Sequence, residues 1–313
     1  MKAWQFVGAR QPLVLAEVDI PEPKDGEILI DIKASGLCHT MVGMVDGTLS
    51  FLAPSLPQTL GDELAGVVCA VGPGVESFNV GDRVANAAIG PETAGVGRDG
   101  GFAEKVAVRA DRVVHIPDGV SFTEAAAATD AGATSYGAVH EHGCIESGER
   151  VGIIGYGGLG SIAARIALAA GAEVYVAEVN SEARELAQST GDYKVVEDVL
   201  GFEPFNLNVI MDFAGFGTTT AGAVEVIAPY GRIVQVGTGK ATAEISVPSL
   251  IAKHLQLVGS SVDNPRALAR VLGLLADKKL SFDLTEISFD QIGDGLVKLE
   301  RGEVRGRLIA IQE

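Results

Sequence analysis

The run from Val151 to Gly160 reads Val-Gly-Ile-Ile-Gly-Tyr-Gly-Gly-Leu-Gly, so a short apolar segment ends in Gly155-x-Gly157-x-x-Gly160. A small-residue helix pattern follows from Ser161 and closes at Gly171, and a second apolar segment from Val174 to Ala177 ends at the acidic Glu178. In a chain with 40 glycines, three at this spacing carry little weight alone. Here they sit at a strand-to-helix turn, with an acid about 20 residues further on. Each part has a mechanical reason. Gly155 allows the tight turn, Gly157 lets backbone approach a pyrophosphate, and Gly160 lets helix and strand pack closely. With Gly158 and Leu159, the helix start offers free N–H groups and a partial positive charge to phosphate. Glu178 is placed to accept hydrogen bonds from ribose hydroxyls and to repel a 2′-phosphate. The chemistry expected here is dinucleotide binding, with NAD favoured over NADP.

The elements that position this turn alternate. From the helical run near Thr123 to about Val262, strands are predicted at 152–154, 174–177, 208–211, 232–236 and 256–259, separated by helical stretches. Such alternation implies a doubly wound parallel sheet. Residues 1 to about 122 instead read as short strands broken by Pro and Gly, at 26–33, 64–71, 82–85 and 102–109, the pattern of a partly closed β-barrel. Residues 263–313 open with a helix from Arg266 to Lys278 and end in a strand, 307–311, which is expected to return to the first domain. The predicted boundaries are therefore 1–122, 123–262 and 263–313.

Composition narrows the partners. The chain has 313 residues, 47% hydrophobic and 21% charged, with a net charge of -17. That length suits two domains with buried cores. The negative charge argues against nucleic acid or an anionic membrane as partner. The apolar helix after Gly160 is short and carries Arg165, so no segment reads as membrane-spanning. Cys38, Cys69 and Cys144 are odd in number and widely spaced, which fits a reducing cytoplasm and gives no disulfide framework.

Several segments together resemble the medium-chain dehydrogenase/reductase superfamily, the zinc-type alcohol dehydrogenases. They are Gly36-Leu-Cys-His-Thr40, Leu60-Gly-Asp-Glu-Leu-Ala-Gly66, Val80-Gly-Asp-Arg-Val84, Gly100-Gly-Phe-Ala-Glu104, Thr129-Asp-Ala-Gly132 and the glycine turn. The resemblance covers essentially the whole length. It implies an α/β protein with a GroES-like β-barrel catalytic domain and a Rossmann domain, a small-molecule substrate bound in the cleft between them, and a homodimer or homotetramer. It also implies hydride transfer between NAD(H) and an alcohol or carbonyl carbon. The motif context is nearest to the branch acting on secondary and cyclic alcohols, including alicyclic hydroxyacyl-CoA substrates.

By the same resemblance Cys38 matches the first ligand of a catalytic zinc, and Asp130 the third. The middle position holds Asp62 where His is usual, and Met41 stands where the Asp that supports that His is usual. Three readings stay open. Zinc is held by Cys38, Asp62 and Asp130, with Glu63 as alternate ligand, since carboxylate oxygen is an accepted zinc donor. Alternatively the site is metal-free, and crowding raises a carboxyl pKa until Asp62 or Asp130 serves as proton donor to an activated C=C or C=N bond. In the third, Asp62 only caps a helix or turn and does no chemistry. A rival of another class is a non-catalytic NAD-binding protein that kept the fold and lost the reaction. The cysteine-bearing lobe of the family's structural zinc has no counterpart between Ala85 and Gly100, so no structural zinc is expected. Thr40 matches the hydroxyl that meets the substrate oxygen. His39 and Arg305 match cations that reach the pyrophosphate, and Gly237, Thr238 and Gly239 match the segment near the nicotinamide. The relay histidine has no counterpart near Gly43 and Met44.

Overall fold

The computed structural model describes residues 1–90, 92–262 and 264–312. Its chain forms two compact units, Met1–Ala133 with Val262–Glu313, and Thr134–Ser261. The passage from one to the other falls after Ala133, inside the helical stretch that opens at Phe122.

The first unit is organised around the strand Glu27–Gly36. Along one edge it pairs with Glu63–Val71; along the other, its first half pairs with Lys105–Arg109 and its last residues pair with Arg307–Ile311. Register shifts at Leu29/Ile30 and Ile32/Ala34 bend this strand, which is how one strand serves two partners along a single edge. Arg83–Asn86, Val113–His115 and Leu284–Ser288 complete a seven-stranded sheet. Ile28, Ile30, Ile32, Leu64, Val68, Val84, Val106 and Val108 form its core, supplied largely by every second residue, as side chains alternate across a pleated strand. Strand hydrogen bonding starts at Lys105, later than the sequence pattern predicts. Phe102 instead donates its N–H to the Leu60 carbonyl and accepts from Trp4 N–H.

A second core in this unit holds Phe6, Leu37, Met41, Met44, Leu60, Phe102 and Leu296. It packs helix His39–Asp46 against helix Ile292–Glu300. Gly47, at φ 100, ends the first of these helices in the left-handed conformation that glycine adopts without steric cost.

The second unit carries six parallel strands in the order Tyr193–Val196, Glu173–Ala177, Arg150–Ile154, Val209–Asp212, Arg232–Gln235 and Gln256–Gly259. This is the doubly wound order that reverses beside the first strand, where dinucleotides bind at the carboxyl ends. The alternation read in the sequence is therefore present, with one edge strand, Tyr193–Val196, added. Among the described residues no helix is long and apolar enough to cross a membrane.

Candidate functional site

Cys38 closes the approach to helix His39–Asp46, and Asp62 immediately precedes the strand Glu63–Val71. Asp130 lies in a π-helical turn, Ala128–Gly132, that follows helix Phe122–Ala127. An inserted residue of this kind turns a side chain off the regular helical face, a device frequent at functional sites. The Cys38 sulfur and one carboxylate oxygen from each of Asp62 and Asp130 all lie within 4.8 Å of one another. Cys38 and Asp62 are buried, and Asp130 is partly exposed. The Cys38 thiol donates to Asp62 Oδ1 at 3.1 Å.

The electrostatics follow from burial. Burial pushes the Cys38 thiol well up, and the charges of Asp62 and Asp130 act in the same direction. Burial raises the Asp62 carboxyl to about 7; Asp130 adds to the rise, while the Cys38 hydrogen bond and Arg307 oppose it. Glu63 does not face the cluster as a free donor. Its two oxygens accept from Arg307 Nε, at 2.9 Å, and from Arg307 Nη2, and Oε1 also accepts from Ala131 N–H at 3.1 Å. Burial pushes Glu63 upward, yet this donor set is one that a carboxylate satisfies. Arg307 is 5% exposed and also sits 3.8 Å from Asp130. Burial alone works against its charge, but Glu63, Cys38 and Asp130 outweigh that and hold its pKa above the ordinary guanidinium value.

Arg307 was not among the residues singled out from sequence; Arg305 was. Arg305 donates to the carbonyls of Gly302 and Val304 and lines a cavity of about 230 Å³ with Lys298, Glu303 and Thr285. The sequence signal for Arg307 is modest. It is a cation opening an apolar strand, Arg307–Ile311, whose first four residues are buried, and a buried cation requires a partner. His39 is exposed and Thr40 half-buried, both in the first turn after Cys38. Met41 is fully buried, and its sulfur accepts the Gly61 N–H at 3.1 Å.

In the second unit Gly155 adopts φ 88 and donates its N–H to the Ala177 carbonyl at 2.8 Å. A Cβ on Gly160 would lie 1.8 Å from the Gly155 carbonyl oxygen, whereas a Cβ on Gly157 would meet nothing within 4 Å. Gly160 thus serves packing inside the protein, and Gly157 keeps open the space in front of the turn. Helix Gly160–Ala169 has no side-chain cap at Leu159, and its Ser161 N–H already goes to the Gly157 carbonyl at 3.0 Å; the positive end of the helix still favours an anion. Glu178 accepts from Tyr156 N–H at 2.7 Å and from Asn180 N–H at 2.8 Å, tying the second strand's end to the glycine turn.

A further acid was passed over in the sequence. Asp212 ends its strand fully buried and accepts from Ala214 N–H, Gly215 N–H, Thr219 Oγ1 and Thr220 Oγ1. Thr220 also bonds Gln235, whose amide reaches the Gly237 carbonyl, and Gly237 N–H returns to the Asp212 carbonyl. The turn holding Gly237 and the exposed Thr238 is thereby laced to the end of the neighbouring strand. An acid closing a fully buried strand before Phe-Ala-Gly was the available clue.

Residues 24–118 match the alcohol dehydrogenase GroES-like domain family, and residues 158–277 match the zinc-binding dehydrogenase family. An alcohol dehydrogenase of Geobacillus stearothermophilus is 32% identical over 99% of each chain. An NAD-dependent alcohol dehydrogenase of Sulfolobus acidocaldarius is 30% identical, again over 99% of each. Among solved structures, acetophenone reductase from Geotrichum candidum in complex with NAD superposes with a TM-score of 0.92 at 27% identity, covering 99% of this chain and 97% of that one. The alcohol dehydrogenase of the archaeon Aeropyrum pernix gives 0.92 at 29%, covering all of both. The chain belongs to the medium-chain dehydrogenase/reductase superfamily, alongside the alcohol dehydrogenases it matches.

Proposed function

We propose that this protein is an NAD(H)-dependent oxidoreductase that interconverts a secondary or cyclic alcohol, or an aldehyde's alcohol, with its carbonyl compound. In the reducing direction NADH gives a hydride to the carbonyl carbon and a proton is added to the oxygen, yielding alcohol and NAD⁺. The observation that carries this reading is the convergence of Cys38, Asp62 and Asp130 within 4.8 Å, in a chain that also holds the Gly155–Gly160 turn closed by Glu178. The relatives that act on alcohols with NAD, and the NAD-bound ketone reductase, support it.

The donor set fits zinc. One sulfur and two carboxylate oxygens are accepted ligands, and distances of about 2.3 Å to sulfur and about 2.0–2.2 Å to oxygen put ligand atoms about 3.5 Å apart. A cluster already within 4.8 Å needs little closure to reach that. Cys38, Asp62 and Asp130 would hold the metal, with Glu63 retained by Arg307. Bound there, zinc would supply a Lewis acid for the substrate oxygen. The chain's own groups do the rest. Thr40 offers a hydroxyl two residues after Cys38 that passes the oxygen's proton. Arg307 offsets the surplus negative charge of the cluster, and the glycine turn orients the pyrophosphate.

One observation favours a second reading. The Cys38 thiol donates to Asp62 and burial brings the Asp62 carboxyl to about 7. This is a buried acid poised to protonate an activated C=C or C=N bond after hydride addition.

Elemental analysis of protein purified without chelator, paired with a panel of alcohols, ketones, enones and imines, separates the two. About one zinc per chain, lost together with ketone turnover in Cys38→Ala, supports the first. Absence of zinc after incubation with the metal, with turnover of enones or imines alone, supports the second. Tight NADH binding with no turnover of any class would overturn both.

A further inference from the structure

Gly61, the residue before Asp62, is gripped on both sides by groups outside the cluster. Its N–H goes to the Met41 sulfur at 3.1 Å, and its carbonyl accepts the Gly101 N–H at 2.7 Å. Its φ is 99, and a Cβ there would lie 2.5 Å from the Phe102 ring. The short loop between Thr93 and Gly101 presses on it directly. A Cβ on Gly95 would lie 2.4 Å from Gly61 C and O, and one on Gly100 would lie 2.4 Å from Gly61 O. Gly95 itself, at φ 79, is held by its N–H to the Arg98 carbonyl at 2.8 Å. Gly61 therefore has one donor, which Met41 receives, and one carbonyl, which Gly101 takes. The next side chain is the Asp62 carboxylate, 3.1 Å from the Cys38 sulfur. Met41 belongs to the same helix that Cys38 precedes, so the sulfur ties the two halves of the Cys38–Asp62 contact together.

We infer that Met41 is a positioning residue: through the Gly61 N–H, and against the backing of the Gly95–Gly100 loop, it aims the Asp62 carboxylate at Cys38. A thioether is a weak acceptor. Within the core formed by Leu37, Leu60 and Phe102, however, a lost acceptor leaves a buried N–H with nothing to replace it. A hydrophobic residue of the same volume at position 41 fills the space and leaves Gly61 unsatisfied, and the Asp62 turn then re-forms off register from Cys38. The inference rests on the dehydrogenase reading only for its kinetic arm.

The test uses full-length protein carrying Met41→Leu, which keeps volume, and Met41→Gln, which restores an acceptor. Chelator-treated samples are alkylated with iodoacetamide at a single pH, and the rates at Cys38, Cys69 and Cys144 are read from peptide masses. The expected result is a several-fold faster reaction at Cys38 in Met41→Leu, with unchanged rates at the other two cysteines and a return toward the original rate in Met41→Gln. In the kinetic arm kcat for ketone reduction falls about tenfold, as for lost supporting partners of a metal ligand, while KM for NADH stays constant. An unaltered Cys38 rate in folded Met41→Leu, or an equal rise at all three cysteines, overturns the inference. No turnover in the unsubstituted protein would overturn the dehydrogenase reading and leave the alkylation result to decide the role of Met41.

Discussion

At the scale of single residues, the telling feature is Asp62, a buried carboxyl that accepts from the Cys38 thiol. Burial and the charge of Asp130 lift it to about 7, against about 3.9 in an unfolded chain. Between those values the native state holds a proton that the unfolded chain has released. Its contribution to stability is thus fully present below about 4 and is lost as pH rises through about 7. Chelator-treated protein should accordingly show a Tm that falls over this window. The Asp62→Asn variant should fall less steeply, and calorimetry at several pH values reads the difference; parallel curves would show that Asp62 does not titrate in the window. Zinc bound in the proposed site would act with the opposite sign. Its ligands must be deprotonated, so its affinity rises with pH and binding releases protons. Glu178 bears two loads, accepting from Tyr156 and Asn180 N–H and, in the proposed complex, from ribose. Glu178→Ala should relax the preference for NAD toward NADP and also lower Tm. A preference unchanged in steady-state kinetics would leave Glu178 with the first load alone.

At the scale of elements, the glycine turn divides its work between Gly157 and Gly160, as the motif's spacing implies. Gly157→Ala puts a methyl into open space, and Gly160→Ala puts one 1.8 Å from the Gly155 carbonyl oxygen. The first should fold with nearly unchanged Tm and lose NADH affinity, because the methyl stands where backbone must approach the pyrophosphate. The second should lose stability outright, since strand and helix are forced apart. Fluorescence titration with NADH beside thermal melts checks both; equal loss of Tm in the two variants would defeat the distinction. This turn was legible in sequence because its constraints are local. The strand Tyr193–Val196 was not: it is four residues at a sheet edge, mostly half-buried or exposed, and carries Lys194 among its apolar residues. The acids of the cluster were legible as types, through Cys38, Asp62 and Asp130. The state of Glu63 was not, because its partner is 244 residues away. Met41 read as a lost support, and only geometry shows its sulfur on the Gly61 N–H.

At the scale of the whole molecule, the strand Arg307–Ile311 joins distant parts of the first unit. Arg307–Ile311 lies inside the sheet, parallel to Leu284–Ser288 on one side and antiparallel to Glu27–Gly36 on the other. It also delivers Arg307 to Glu63 and Asp130. Closing the sheet thus needs residues far apart in the sequence, and the non-local pairing makes this unit slow to form relative to one built from local contacts. Two variants separate the strand from its cation. A chain ending at Gly306 removes both; Arg307→Leu keeps the strand and strands the Glu63 charge in the interior. Loss of one member of a buried pair costs about 3–5 kcal/mol, so Arg307→Leu should melt earlier while its backbone ladder survives below the transition. The shortened chain should instead lose hydrogen-exchange protection along Leu284–Ser288 and at Ala34 to Gly36, where its pairs are gone, and then across Glu63–Val71. The six parallel strands serve as internal reference in the same spectra. If truncation exposed only the amides facing the missing strand, the sheet would be held by its remaining pairs, and the final strand would be a carrier for Arg307 rather than a structural keystone.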